Sequence, residues 1–149
     1  MNKSIIDNSL GVDIENINRF KNIALNKKFL SKIYTKKELA YCLNKKKPSQ
    51  HLAVRYCAKE AVIKACNARN IDIKEYNQIE ILNKKNGVPY INIIKREIQH
   101  KVNINISLSH CKDIAIAFAI ISTKIEVKKE HKDKNKKTKN NKNNKPKNK

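Results

Sequence analysis

The sequence predicts an α+β domain in which a first strand is followed by three helices and then by antiparallel strands. Three observations support this fold class. Residues 52–66 are apolar around most of a helical circumference. An Asn86-Gly87 pair separates two apolar runs and is typical of a hairpin turn. Residues 114–121 are apolar at every position, as in a central strand.

The first strand is predicted within residues 4–14, where Gly11 would permit close approach of another backbone. Asp13 then falls at a strand-to-helix junction, and capping of the helix is the ordinary role of Asp there. From Ile14 onward, apolar residues at helical spacing indicate the first helix, at Ile17, Phe20 and Ile23.

Two further helices follow. Thr35 and Glu38 have the spacing of a capping box, which predicts a helix over residues 36–43. A basic loop, residues 45–47, is closed by Pro48, and Ser49 is predicted to cap a central helix from about residue 50 to residue 66. Asn67 is expected to end that helix in the left-handed conformation.

The remaining elements are strands. Apolar runs flank Asn86-Gly87, and Pro89 suits the start of a strand or an edge. Residues 104–109 alternate strictly, and a tight connection through His110 leads into residues 114–121. We therefore expect one domain over residues 1–123. Residues 124–149 contain 12 Lys and 3 acidic residues without a packing face, which predicts a disordered tail.

Net charge and cysteine usage limit the function classes. The formal net charge is +21, of which the tail contributes +9, so the predicted domain is itself basic and should favour an acidic partner. The four cysteines lack metal-site spacing and are expected to be buried, reduced thiols of a cytoplasmic protein. We identify no signal peptide or membrane-spanning segment and expect no membrane partner.

Glu60 is the most unusual side chain of the central helix. A carboxylate on a mostly buried helix is costly unless a cation or several donors accompany it. One interpretation is an ion pair with Lys64, which at an exposed position would contribute about 0.2–0.5 kcal/mol. The other is a metal-ligating carboxylate beside a phosphate-binding lysine. With Asp13, Glu60 would form a hard oxygen site suited to Mg²⁺.

Four motifs, taken in order, resemble those of the holo-[acyl-carrier-protein] synthases, the small bacterial-type members of the phosphopantetheinyl transferase superfamily. They are G-V-D-I at residues 11–14 with Arg19, R-Y-C-A-K-E-A at residues 55–61 with Lys64, N-G-V-P at residues 86–89, and S-L-S-H at residues 107–110. The combination of the early G-x-D with the K-E-A-x-x-K-A helix is the specific part of this resemblance.

The resemblance implies transfer of 4′-phosphopantetheine from coenzyme A to a serine of apo-acyl carrier protein for fatty acid biosynthesis. Adenosine 3′,5′-bisphosphate would be released in a Mg²⁺-dependent reaction. It assigns metal binding to Asp13 and Glu60 and catalytic roles to Asp13, Glu60 and Lys64. The general base stays open between Glu60 and a water molecule at the metal.

Substrate and partner positions follow from the same resemblance. The positions that would hold the phosphates of coenzyme A are Lys46, Lys47, Arg55, Lys64 and His110. A group of basic residues would attract the acidic carrier protein, namely Arg19, Lys21, Lys27 and Lys28. The resemblance also implies a homotrimer with active sites between subunits.

Two features depart from the family pattern. Residues 66–70 read Cys-Asn-Ala-Arg-Asn where relatives have a glycine-rich loop, so the backbone geometry around the pyrophosphate is expected to differ. The lysine-rich tail is also outside the family pattern. The alternative function is a basic, ribosome-associated nucleic-acid-binding protein, which the net charge supports. An aromatic content of 5% and the lack of a nucleic-acid-binding motif argue against a specific nucleic acid partner.

Overall fold

The computed structural model describes residues 4–23, 26–100 and 102–126, and its architecture is α+β, as predicted. Its elements in chain order are β1 (Ser4–Asn16), α1 (Arg19–Ile23), α2 (Lys27–Ile33), α3 (Lys36–Leu43), α4 (Pro48–Asn67), a 3₁₀ turn (Tyr76–Gln78), β2 (Ile79–Asn83), β3 (Pro89–Ile93), α5 (Arg96–Gln99), β4 (Asn103–Cys111) and β5 (Ile114–Glu126).

A three-stranded antiparallel sheet supports the rest of the fold. Its strand order is β1-β5-β4, so β5 is the central strand, as predicted, and β2 and β3 form a separate two-stranded hairpin. Asp13 of β1 lies opposite Ala117 of β5, which lies opposite Leu108 of β4. The two ends of the described chain therefore lie side by side in one sheet.

Helix α4 covers one face of this sheet, and the side chains of β5 differ sharply between its two faces. Ala115, Ala117 and Ala119 are buried in the core. The alternate residues of β5 and β1 are large, apolar and 39–63% exposed on the opposite face, namely Leu10, Val12, Ile14, Ile114, Ile116 and Phe118. We call these six residues the open sheet face.

Gly11 is required by the contact between β1 and α4. A Cβ at Gly11 would lie 1.9 Å from the carbonyl oxygen of Ala61, so no side chain fits there without moving the helix. One helical turn further along, Ser9 Oγ donates a hydrogen bond of 2.8 Å to the carbonyl of Ala65. The predicted close approach is thus confirmed, and it fixes β1 against α4.

The start of the chain differs from the prediction. β1 continues to Asn16, so Asp13 lies inside the strand and does not cap a helix. The first helix begins at Arg19, five residues after Ile14, because the chain stays paired with β5 up to Asn16. Three helices were predicted between the first strand and the hairpin, and the structure has four, of which α2 is the additional one. The Asn26 side chain caps α2 by accepting a hydrogen bond from the Phe29 N–H at 3.0 Å.

Helix ends were predicted with mixed success. The Thr35–Glu38 capping box is confirmed with both of its hydrogen bonds, and α3 has the predicted bounds. Helix α4 begins at Pro48, a residue suited to the first helical position, so the prediction of Ser49 as the cap was wrong. Asn67 is the last helical residue, and the left-handed conformation occurs at Asn70 instead, with φ of 55°.

The C-terminal elements agree with the sequence patterns. Gly87 has φ of 86°, as the hairpin turn requires, and β3 starts at Pro89. β5 is paired through Glu126, three residues beyond the predicted domain end, and the remainder of the tail, residues 127–149, lies outside the described residues.

All four cysteines are free; Cys42, Cys57 and Cys66 are buried as expected, whereas Cys111 is exposed. Within the described ranges, none of the helices has the length and apolar character needed to cross a bilayer.

Candidate active site

Asp13 and Lys64 meet where β1 crosses α4. Lys64 Nζ donates to Asp13 Oδ1 at 2.8 Å and to the carbonyl of Val12 at 3.0 Å. The side chain of Lys64 is 53% exposed and that of Asp13 is 14% exposed. The hydrogen bond to Asp13 raises the pKa of the Lys64 amine above its ordinary value, so this lysine is cationic at neutral pH.

The second oxygen of Asp13 lacks a partner. Oδ2 is buried and accepts no hydrogen bond from any described residue. A buried carboxylate oxygen without a donor or cation is unfavourable and calls for an explanation, such as an ion that it binds. The backbone of Asp13 is held in place, since its carbonyl accepts from the Cys57 thiol at 2.8 Å. Burial raises the pKa of Cys57 to about 12, so that thiol is neutral and acts as a donor.

Glu60 lies one turn before Lys64 on the same face of α4. Its Oε1 accepts a hydrogen bond from the Tyr76 hydroxyl, and the side chain is half-buried. Lys64 pairs with Asp13, and no ion pair joins Glu60 to Lys64 among the described residues. The intrahelical pair considered from the sequence is therefore not the arrangement observed.

The candidate metal ligands are two carboxylates, whose oxygens are hard donors. Within the described residues, no cluster of three or more His, Cys, Asp or Glu side chains could hold a metal ion. Asp13 and Glu60 would supply two carboxylates, which fits Mg²⁺, since this ion commonly takes one or two carboxylates together with water and substrate phosphates. The unpartnered Oδ2 of Asp13 agrees with that chemistry.

A buried ion pair lies directly behind Glu60. Lys59 Nζ donates to Glu38 Oε2 at 2.8 Å, and both side chains are 0% exposed. Lys59 also donates to the carbonyls of Tyr76, at 3.0 Å, and of Ile79. This pair was not predicted from the sequence, although one signal was present: Lys59 has helical spacing with buried Leu52, Val62 and Cys66.

Arg55 lies further toward the start of α4, away from the two carboxylates. It is 3% exposed, and its guanidinium donates to the Ile81 carbonyl at 3.2 Å and to Asn83 Oδ1 at 2.7 Å. Arg55 and Lys45 contact the Tyr41 ring, with distances of 4.1 and 4.3 Å to its centroid. Phosphate binding by Arg55 stays a prediction.

Two histidines belong to the same basic region. Burial lowers the pKa of His51, and the nearby charges of Arg55, Lys45 and His110 lower it further. His51 is therefore neutral at pH 7. His110 is exposed near the end of β4, opposite Ala115, so it lies at the same end of the sheet as Asp13.

The two loop lysines lie beside the start of α4. Lys46 and Lys47 are exposed and line a cavity of about 410 Å³ together with Lys21 and Lys112. Four cationic side chains against one carboxylate, that of Asp113, favour an anionic ligand in this cavity. Their role as phosphate contacts is untested and stays a prediction.

The basic residues predicted to contact the carrier protein are divided between two helices. Arg19 and Lys21 belong to α1, and Lys27 and Lys28 belong to α2. Arg19 Nη1 donates to both oxygens of Glu15, at 2.9 and 2.6 Å. All four basic side chains are exposed, and a role in partner binding stays a prediction for each.

The segment after α4 replaces glycines with an asparagine. The N–H groups of Arg69 and Ile71 donate to the Cys66 carbonyl at 2.9 and 3.0 Å, which closes a tight turn. Asn70 adopts the left-handed conformation within it, and asparagine tolerates this conformation better than most residues with a side chain. The turn therefore forms without glycine.

Comparison with known proteins extends these observations. A family model described as the 4′-phosphopantetheinyl transferase superfamily matches residues 9–119. The holo-[acyl-carrier-protein] synthase of Protochlamydia amoebophila is 41% identical over 118 residues, covering 76% of this chain and 97% of that protein.

Solved structures show the same fold. The acyl carrier protein synthase of Mycobacterium tuberculosis is 28% identical with a TM-score of 0.62, over 77% of this chain and 96% of that chain. A coenzyme A complex of the Chronobacterium ammoniagenes enzyme has a TM-score of 0.68 at 23% identity, over 78% of this chain and 98% of that chain.

Proposed function

The chain belongs to the 4′-phosphopantetheinyl transferase superfamily, and from that premise we propose that it is a holo-[acyl-carrier-protein] synthase. It transfers 4′-phosphopantetheine from coenzyme A to a serine of apo-acyl carrier protein, giving the holo carrier protein for fatty acid biosynthesis. The relative at 41% identity is named for this activity. The observation that carries the proposal is the buried, unpartnered Oδ2 of Asp13, whose other oxygen pairs with Lys64, one turn after Glu60 on α4.

In this reaction the serine oxygen bonds to the phosphorus that bears the pantetheine arm. The bond from that phosphorus to the oxygen of the leaving nucleotide breaks, and adenosine 3′,5′-bisphosphate departs. Asp13 and Glu60 would hold Mg²⁺, which when bound supplies charge neutralisation at the pyrophosphate. The serine proton passes to Glu60 or to a nearby water molecule.

Lys64 is exposed enough to meet a phosphate. Its side chain is half exposed, and its amine reaches both Asp13 and the Val12 carbonyl. A swing of the flexible side chain away from Asp13 would bring a positive charge to the phosphate oxygens. We assign it to the stabilisation of charge on the leaving phosphate.

The basic positions away from the carboxylates would bind the rest of coenzyme A. Lys46 and Lys47 line a cationic cavity, and Arg55 and His110 lie in the neighbouring basic region. On one chain none of these groups forms a hydrogen bond with the Asp13–Lys64 pair among the described residues. Assembly of subunits would bring the carboxylates of one chain next to the basic residues of another, so that each active site lies between two subunits.

The open sheet face supports self-association. Six large apolar side chains on adjacent strands are 39–63% exposed, and contiguous apolar patches of this kind mark interaction surfaces. We assign this face to contacts between copies of the chain in a homotrimer. Light scattering should give about three times the chain mass of 17.2 kDa, and Val12→Lys should lower it. A monomeric wild-type chain would contradict the assignment.

The carrier protein would dock on α1 and α2. Acyl carrier proteins are acidic, and Arg19, Lys21, Lys27 and Lys28 are exposed on these two helices near the end of β1 that bears Asp13. Attraction between opposite charges would raise the association rate and make it depend on ionic strength.

The reduced, mostly buried thiols agree with a reaction in the cytoplasm.

The direct test is a mass measurement on the carrier protein. The chain is incubated with coenzyme A and apo-acyl carrier protein, with Mg²⁺ or with a chelator. We expect the carrier protein to gain one phosphopantetheine arm in the presence of Mg²⁺ and to stay unmodified with the chelator. A protein that binds nucleic acid and has no transferase activity would add no mass under either condition.

The metal site is tested by Glu60→Gln. This variant should fold normally and lose turnover on the order of 100-fold, because metal charge stabilisation supplies several kcal/mol. The matched control is Glu97→Gln, since the Glu97 side chain is 81% exposed on α5. Retained turnover in Glu60→Gln would argue against Glu60 as a metal ligand.

A further inference from the structure

Tyr76 contacts the Glu60 carboxylate from outside helix α4. It begins the 3₁₀ turn before β2, and its hydroxyl donates to Oε1 of Glu60. A glutamate on the open side of a helix has three rotatable bonds and would otherwise sample several orientations. A donor on one oxygen favours one orientation of the carboxylate, in which Oε2 would be the oxygen that binds a cation.

The Tyr76 ring is held by aromatic packing. It stacks on the Tyr56 ring, with centroids 5.5 Å apart and planes inclined by 17°. Tyr56 packs in turn against buried Phe20, at 5.6 Å. Because Tyr56 lies one turn before Glu60 on α4, the stack keeps the Tyr76 hydroxyl over the same helical face.

The backbone of Tyr76 is also fixed, by the buried ion pair. Lys59 Nζ donates to the Tyr76 carbonyl at 3.0 Å while it pairs with Glu38 at 2.8 Å. Lys59 directly precedes Glu60, so the two neighbours contact the same tyrosine, one at its carbonyl and the other at its hydroxyl. The turn is therefore attached to the helix next to the carboxylate that it orients.

We propose that Tyr76 is a positioning residue of the metal site and that its hydroxyl holds the Glu60 carboxylate in the orientation that binds the divalent cation. The inference rests on the proposed function. Carboxylates that bind metals are commonly oriented by hydrogen bonds, and removal of such a partner typically lowers metal affinity about 10- to 100-fold. Tyr76 itself does not touch the substrate in this role.

The test is metal binding without turnover. Mn²⁺ is titrated into the full-length chain in the presence of coenzyme A and without carrier protein, and free Mn²⁺ is measured by electron paramagnetic resonance. Tyr76→Phe keeps the stacking ring and removes the hydroxyl, and it should weaken Mn²⁺ binding by about 10-fold or more. The control is Tyr90→Phe, the same change at a tyrosine that is 38% exposed on β3; its affinity should equal that of the wild type.

A double-mutant cycle separates positioning from a general structural effect. In the Glu60→Gln background, Tyr76→Phe should cause no further loss of Mn²⁺ affinity, since its effect acts through Glu60. Unchanged affinity in the single variant, or an equal loss in both backgrounds, would overturn the role of Tyr76. Failure of the proposed function gives a different result, because the wild-type chain would then neither bind Mn²⁺ nor transfer the pantetheine arm.

Discussion

Two lysines of α4 pair with carboxylates at the same distance in opposite surroundings. Lys59 and Glu38 are 2.8 Å apart and 0% exposed, whereas Lys64 and Asp13 are 2.8 Å apart with side chains 53% and 14% exposed. The free-energy cost of breaking the two pairs differs although their lengths are equal. This cost depends on desolvation, and only the buried pair is fully desolvated. Bond length alone therefore does not separate a structural pair from a functional one.

Hydrogen-bond completeness does separate them. Lys59 uses all three of its donors, on Glu38 and on the carbonyls of Tyr76 and Ile79. Both oxygens of Glu38 accept from backbone N–H groups as well. Asp13, in contrast, keeps Oδ2 without a partner among the described residues. The complete network stabilises the fold, and the incomplete one would leave a position for the proposed cation.

The largest expected effect is on stability, from breaking the buried pair. Lys59→Met should lower the free energy of unfolding by about 3–5 kcal/mol, because Glu38 would remain buried without its cation. Lys64→Met should lower it by less than about 1 kcal/mol, as for exposed ion pairs. Urea denaturation followed by circular dichroism measures both. Similar losses in the two variants would contradict the contrast drawn between the pairs.

The next effect is on catalysis, from the exposed pair. Lys64→Ala should lower kcat/KM for coenzyme A about 10- to 100-fold, since a hydrogen bond to a charged group contributes about 1.5–3 kcal/mol. Lys74→Ala removes another exposed lysine and should leave the kinetics unchanged. Steady-state kinetics with varied coenzyme A provides the measurement, and an unchanged Lys64→Ala would remove this residue from the mechanism.

The smallest effect is on titration, and its direction distinguishes the two lysines. The hydrogen bond to Asp13 raises the pKa of Lys64 above 10.5, whereas burial lowers the pKa of Lys59 below it. A folded pKa above the unfolded value means that the Lys64 pair stabilises the fold below pH 10.5, and that this contribution disappears as the pH rises through the folded pKa. Carbon-13 NMR of the side chains follows both amines. In Asp13→Asn the pKa of Lys64 should return toward its ordinary value, and an unchanged pKa would show that Asp13 is not its cause.

Local patterns predicted the elements that local physics decides. The capping box at Thr35 and the turn at Gly87 appear as expected, because each depends on residues within a few positions. The length of β1 was not predictable in this way: Asn16 is paired with Ile114, nearly a hundred residues later in the chain. Such pairing outweighs local helical spacing.

The same distinction applies to the candidate site. Asp13, Glu60 and Lys64 could be proposed because they belong to motifs, and the structure brings Asp13 and Lys64 into contact. Tyr76 belongs to no motif, and its contact with Glu60 arises from the path of the chain after α4. Burial of Lys59 was not predicted, although its helical spacing places it with the buried residues of α4.

The three alanines of β5 act as spacers between two layers. Ala115, Ala117 and Ala119 are the smallest side chains with a Cβ, and they let α4 lie close enough for its backbone to contact Gly11. Their size therefore sets the gap across which Asp13 and Glu60 would share the proposed cation. An Ala117→Val variant would widen that gap. We expect Mn²⁺ affinity to be more sensitive to this change than the melting temperature. In this fold, three buried alanine methyl groups would determine the distance between the strand and helix residues of the proposed site.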